Sequence, residues 1–221
     1  MRAPAAVRQQ RVHWWSGKML RILGIELDVL HGQPGQGPLL IVANHISWLD
    51  ILVLHALCPQ ARFVSKAGVR HWPLIGSLTS AAGTLFIERE SKRDALRVVH
   101  HMAEALKAGD TLAVFPEGTT ADGHALLPFH ANLLQAALAA RVPVQPVALH
   151  YADDHASPSR AAAYVGTTTL VGSLWSIVRA RGLRVQVKVL PVLPSEGRDR
   201  RALAREAHAA IAGALTHRRS G

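Results

Sequence analysis

His45 lies five residues before Asp50 in the run Val42-Ala-Asn-His-Ile-Ser-Trp-Leu-Asp50, directly after the apolar segment Leu39-Leu-Ile-Val-Ala43. In a continuous helix that spacing holds two side chains about 140° apart, so a helix cannot bring them together. A strand that ends near Asn44, followed by a helix with Ser47 as its N-cap, folds His45 back over the first helical turn, where Asp50 sits. The helix dipole favours a carboxylate in that turn, and the carboxylate can accept an imidazole N–H. Such a pair orients one ring nitrogen and leaves the other as a general base. With 13 His and 15 Asp and Glu in the chain, the spacing alone is weak. Its place at the carboxyl end of a strand, where open α/β sheets build their sites, gives it weight.

Two further runs end strands in the same way. Gly83-Thr-Leu-Phe-Ile-Glu-Arg89 sets a guanidinium just past a strand, suited to bidentate contact with a phosphate or to an ion pair with Glu88 or Glu90. Phe115-Pro-Glu-Gly-Thr-Thr120 is a sharp turn in which Gly118 lets the backbone approach a ligand. Glu117 stands at its rim, either as a site residue or as an ordinary capping group.

The elements that must position these residues read as an α/β domain, because apolar runs of strand length alternate with segments of helical period. Strands are expected at 39–43, 62–65, 83–88, 111–115, 142–149 and 183–190. The two prolines of the fifth, Pro143 and Pro146, place it at a sheet edge or make it irregular. The sixth alternates Val185, Val187 and Val189 with polar residues, as a strand with one wet face does. Ser91 to Asp94 has capping-box spacing and opens a helix with Leu96, Val99, Met102 and Leu106 towards one side, ended by Gly109. Helices are also expected at 132–140 and 198–216, the latter with Leu203, Ala207, Ala210, Ile211 and Ala214 on one side.

The 25 Lys and Arg exceed the acids by ten, and the pI is about 11.0, so an anionic partner is expected. Val7 to Ile25 has four basic residues and no acid, interleaved with Trp14, Trp15, Met19, Leu20, Ile22 and Leu23. This pattern suits the headgroup layer of a membrane better than a helix packed on the core. Residues 1–29 are accordingly read as a membrane-associating segment, ahead of one domain at 30–221. Leu170, Val171, Leu174, Trp175 and Val178 share one helical face that is expected to be core. The interval from Ala161 to Val178 is not expected to span a membrane, since seven of its 18 residues are Gly, Ser or Thr. The start is not expected to be a secretory signal, lacking a continuous apolar run before a small-residue cleavage site. One cysteine, Cys58, excludes an intrachain disulfide framework and any multi-cysteine metal site. There is no Gly-x-Ser-x-Gly elbow, no phosphate-binding Gly-x4-Gly-Lys loop and no His-Glu-x2-His, so no serine nucleophile, nucleotide cradle or metal is assigned.

In order and spacing, Asn44-His45-x4-Asp50, Gly83-x2-Phe86-x2-Arg89, Phe115-Pro116-Glu117-Gly118 and Val142-Pro-Val-Gln-Pro146 resemble the four motif blocks of the glycerolipid and lysophospholipid acyltransferases. The likeness to bacterial 1-acylglycerol-3-phosphate acyltransferases is strongest and runs from about Leu30 to Leu190. It implies an α/β fold with a central, mostly parallel or mixed sheet flanked by helices. It implies His45 as general base, oriented by Asp50. Asn44, Gly83, Phe86, Arg89, Phe115, Pro116, Glu117, Gly118 and Thr119 would bind substrate, and the Pro143 to Pro146 block would lie near the acyl donor.

The implied reaction needs no cofactor: acyl-CoA or acyl-carrier protein donates, and a lysophospholipid accepts. The enzyme would sit at the cytoplasmic face of the inner membrane, as a peripheral or monotopic protein on anionic lipid, with no nucleic acid. Many phosphatidate-forming members carry a basic residue after Glu-Gly-Thr, where this chain has Thr120. Lyso-ornithine lipid is therefore the alternative acceptor. The rivals are a thioesterase that uses the same base on water and a catalytically silent basic protein that binds membrane or nucleic acid.

Overall fold

The computed structural model describes residues 4–66, 85–87 and 92–216, except for the side chains at 65–66, 85–87 and 92–95. In chain order the elements are α1 (Ala5–Ile22), β1 (Glu26–His31), β2 (Leu40–Ala43), α2 (Leu49–Leu57), β3 (Arg62–Lys66), β4 (Leu85–Ile87) and α3 (Lys92–Lys107). There follow β5 (Leu112–Val114), a 3-10 turn (Ala131–Leu134), α4 (Gln135–Ala140), β6 (Val144–Ala152), α5 (Leu170–Arg179), β7 (Arg184–Val189) and α6 (Arg200–Thr216). The seven strands form one sheet in the order β1-β7-β6-β2-β5-β3-β4. Neighbours are parallel except β6 and β7, which run antiparallel.

All four β2 residues are buried, as a strand covered on both faces requires. Their alternation divides the core into two layers. Ile41 and Ala43 pack with Leu20 of α1, Leu52 of α2 and Ile177 of α5. Leu40 and Val42 pack on the other side with Met102 and Leu106 of α3, Ala136 of α4 and Leu203 of α6. Both flanks of β2 are parallel strands reached by opposite routes, so its carboxyl end opens at a switch point of the sheet, where α/β folds hold ligands.

Several sequence expectations are corrected. The strand with two prolines lies inside the sheet, not at its edge. Pro143 precedes β6, and Pro146 turns its backbone towards β7, where its carbonyl accepts the Leu190 N–H one residue before the antiparallel register begins at Val147 and Val189. The missing proline N–H therefore removes no bond from the β2 ladder. Strand β1, not anticipated, takes the edge beside β7 and is mostly exposed, so it lacks the apolar run that marks a buried strand. It also contains both residues 29 and 30, so the expected boundary between N-terminal segment and domain falls inside a strand. On α3 Val98, Met102, Ala103 and Leu106 are buried, while Leu96 is exposed. The expected helix at 132–140 begins as the 3-10 turn, and the Ser91 capping box lies outside the described side chains. Gly109 ends α3 as expected, with φ of 97° and the Asp110 N–H returning to the Ala105 carbonyl.

The Leu170 to Val178 face divides. Ile177 is buried and Leu170 and Leu174 are partly so, but Val171, Trp175 and Val178 face outward. The core reading fails for those three.

Candidate active site

The loop that carries His45 joins β2 to α2 in five residues, 44–48, and its bonds explain its shape. The His45 Nδ1–H donates to Asp50 Oδ2 at 2.8 Å, as the folded-back turn requires. Ser47 is not the cap: α2 begins after Trp48 with no side-chain cap of the usual kind. Asp50 itself does that work from inside the first turn, since Oδ2 also accepts the Ile46 and Ser47 backbone N–H groups at 2.7 and 2.9 Å. A carboxylate collecting N–H groups at a helix start is favoured twice, by hydrogen bonds and by the dipole. Asp50 is fully buried, whereas the His45 side chain is 20% exposed. The imidazole thus reaches the surface while its partner does not.

The other oxygen of Asp50 is held from across the sheet. Tyr151, near the end of β6, donates its hydroxyl to Oδ1 at 2.8 Å and is itself fully buried. Burial, and then the Asp50 charge, push the phenol well above its usual range, so it stays a donor at every physiological pH. The sequence reading missed this residue. A buried tyrosine needs a hydroxyl partner, which is the one signal available, but nothing local identifies a partner 101 residues away.

Phe115 and Glu117 complete the surroundings of His45. The Phe115 ring lies flat on the imidazole, with centroids 4.0 Å apart and planes 8° from parallel. Phe63 stacks on Phe115 in turn. Glu117, expected at the rim of the turn as a site residue or a capping group, is buried: Oε1 accepts the His45 backbone N–H at 2.6 Å and Oε2 the Leu127 N–H at 2.8 Å. One oxygen thus holds the His45 loop and the other the segment at Leu127. Burial raises its pKa above the ordinary carboxylate value, and the two N–H bonds oppose that. Gly118 turns beside it with φ of 72°, and a Cβ there would lie 3.1 Å from the His130 ring. Pro116 is buried, its carbonyl accepting the His130 N–H, and Thr119 is exposed next to the turn.

Asn44 is also a structural clamp in place of an open ligand. Its amide donates to the Leu149 carbonyl at 2.9 Å and accepts the Leu149 N–H at 2.8 Å, continuing the β2–β6 ladder with a side chain where the β2 backbone turns away. Pro146 pairs with Val42, and the Pro143 carbonyl accepts from Leu40. The proline block therefore ends beside Val42, three residues before His45 along β2, about 10 Å at strand spacing. The block thus shapes the part of the sheet that leads up to the His45 loop. Phe86 falls in β4, separated from β2 by β5 and β3, while Gly83 and Arg89 lie outside the described residues.

What the arrangement can do follows from its hydrogen bonds. Asp50 fixes Nδ1 as the protonated nitrogen and aims Nε2 away from itself, ready to take a proton. The backbone N–H groups of His45, Ile46 and Ser47 are all consumed by carboxylates, so donors to a developing oxyanion must come from elsewhere. Among the described residues no cluster of three or more His, Cys, Asp or Glu side chains could hold a metal.

Known proteins resemble this chain in sequence and in fold. Residues 25–150 match the family described as Acyltransferase. A lyso-ornithine lipid O-acyltransferase of Pseudomonas aeruginosa is 43% identical over 95% of this chain and 80% of its own length. A 1-acyl-sn-glycerol-3-phosphate acyltransferase of Neisseria meningitidis is 37% identical over 84% of this chain and 72% of its own. The crystal structure of the 1-acyl-sn-glycerophosphate acyltransferase of Thermotoga maritima superposes with a TM-score of 0.73 at 22% identity, covering 100% of this chain and 85% of that one, which shows a shared fold. With the His45–Asp50 pair at the end of β2 and the Glu117 turn behind it, this chain belongs to the acyltransferase family.

Proposed function

We propose that the protein is an O-acyltransferase that moves a fatty acyl chain from acyl-CoA or acyl-carrier protein to the free hydroxyl of a lysophospholipid, with 1-acylglycerol-3-phosphate as acceptor and phosphatidic acid as product. The observation that carries this reading is the His45–Asp50 pair, held by a buried carboxylate yet open to solvent on the imidazole side. Nε2 takes the acceptor proton as the hydroxyl oxygen attacks the thioester carbonyl. The tetrahedral oxyanion then collapses: the new ester C–O bond stays, the C–S bond breaks, and the proton on His45 passes to the leaving sulfur. Neither a covalent acyl-enzyme nor a bound cofactor enters these steps. General-base help of this kind is worth about 10² to 10⁴ in rate.

A second acceptor is favoured by one specific position. The Thr120 hydroxyl donates to the Tyr164 carbonyl, so the turn after Glu117 offers no cation to a phosphate, and the 43% identical relative is named for lyso-ornithine lipid. Purified protein assayed against a panel of lysolipids, with each donor, separates the two. Acylation of 1-acylglycerol-3-phosphate supports the first reading. Acylation of lyso-ornithine lipid alone replaces the acceptor and keeps the chemistry. Free fatty acid without acylated lipid identifies a thioesterase and overturns both.

The same reading puts the enzyme on the cytoplasmic face of the inner membrane, peripheral or monotopic. Supporting it, α1 exposes Arg8, Arg11, Lys18 and Arg21 around Trp14 and Ile22 while Val12, Ser16 and Leu20 face the core. That pattern suits anionic lipid. Among the described residues no helix is long and apolar enough to cross a membrane.

A further inference from the structure

Helix α5 has two apolar stripes, and only one packs on the core among the described residues. Ile177 and, in part, Leu170 and Leu174 close the core layer over the sheet. Beside them, about 100° around the helix, Val171, Trp175 and Val178 form a stripe at helical spacing, 77%, 64% and 62% exposed. An indole that exposed, in line with two valines, is costly in water and ordinary at a lipid surface. No acid occurs on α5, and Arg179 lies over the Trp175 ring, 5.5 Å from its centroid.

The pairing repeats on another helix of the same layer. On α1, Lys18 lies 4.6 Å over the Trp14 ring, and Trp14 is 57% exposed. Both pairs are Trp followed by a cation four residues on, and both helices pack on the core layer that covers one side of the sheet. A tryptophan at the headgroup level with a cation reaching to phosphate is the arrangement that an anionic bilayer favours. Arg181 adds exposed positive charge just past α5, and the chain as a whole is +10.

Helix α5 is also joined to the catalytic loop. On its buried side the Ser173 hydroxyl accepts the Trp48 indole N–H at 3.0 Å, two residues before Asp50. Ahead of the helix, the Tyr164 N–H donates to the Ile46 carbonyl at 3.0 Å.

We propose that the outer face of α5, Val171, Trp175, Val178 and Arg179, is a second lipid-contacting surface that works with α1 to seat the catalytic loop on an anionic bilayer. This rests on the acyltransferase reading, in which the acceptor is a lipid of that bilayer. Contact by α1 alone gives one line of attachment and leaves the protein free to roll about it. A second helix fixes which edge of the sheet meets the lipid.

The test uses the full chain and vesicles of phosphatidylglycerol and phosphatidylethanolamine, with and without brominated acyl chains, and needs no turnover. In a Trp14→Phe background, bromolipid should quench emission that Trp175→Phe then removes. Val171→Ser with Val178→Ser should weaken vesicle binding roughly tenfold without lowering Tm, since both side chains are exposed. Trp175 emission indifferent to bromolipid while the protein is vesicle-bound overturns the proposal, as does a lipid-independent dimer that buries Trp175. Acyl transfer measured on the same samples keeps the two claims apart. Quenching without transfer sinks the enzymatic reading alone, and transfer without quenching sinks the α5 surface alone.

Discussion

Tyr151→Phe removes one oxygen from a fully buried site and isolates what that hydroxyl does. Among the described residues Asp50 Oδ1 has this one donor, at 2.8 Å, while Oδ2 keeps His45, Ile46 and Ser47. A hydrogen bond to a charged group is worth about 1.5–3 kcal/mol, and the ring that remains fills the same space. If all of that orienting energy acts at the transition state, kcat falls by about 10- to 150-fold. Three donors still hold the other oxygen, so we expect the low end, a loss of roughly tenfold. The same energy lowers Tm by roughly 3–12 °C in a chain of this size. Initial rates at varied acceptor, well below Tm, with melting curves of both proteins, are the assay. Because the hydroxyl acts through Asp50 and His45 and touches no substrate, KM should hold while kcat drops. A lowered Tm with unchanged kcat refutes the reasoning and leaves Tyr151 a packing residue.

Asp50→Asn puts an amide N–H₂ among four donors, so both the loop and the imidazole tautomer suffer; kcat should fall by roughly 10² or more, and near wild-type turnover would contradict the assignment. Gly118→Ala forces a side chain into a left-handed turn against the His130 ring and should cost about 1–2 kcal/mol, read as Tm, with activity reduced because the same turn holds Glu117. His55 is fully buried, donates Nε2–H to the Ala61 carbonyl, and is pushed down to about 4 by burial. A depressed histidine stabilises the fold above its ordinary value of 6.5 and loses that contribution as pH falls towards 4, about 3 kcal/mol across the window. Tm should therefore drop on acidification, and His55→Gln should flatten the drop; an unchanged slope in the variant would contradict the reading.

Legibility followed sequence distance. The His45–Asp50 pair could be read because the strand end, the turn and the helix start lie within a few residues, and local geometry alone brings the groups together. Glu117 was noticed but its task was not, since the backbone it holds lies 72 residues upstream and its placement depends on sheet order. Tyr151 depends on that order still more, reaching Asp50 from β6 across β2. Asn44 belongs to the recognisable motif, yet only the point where the β2 ladder ends shows why an amide stands there. The proline-bearing strand misled because a rule about missing donors depends on which side each proline faces, and that requires the register. Helix α5 misled for another reason: periodicity marks an apolar stripe but not whether it meets core or lipid, and this helix carries one of each.

The central claim is that His45 removes the acceptor proton in acyl transfer to a lysolipid. It is tested most directly by purified His45→Ala, assayed for acylated lipid with both donors beside the wild-type protein, with Tm recorded for each. The account predicts transfer by the wild type, loss of about 10² to 10⁴ in kcat for the variant, and little change in Tm, since the side chain is partly exposed and the Asp50 carboxylate keeps three other donors. Turnover at the wild-type rate in a folded His45→Ala protein would contradict it.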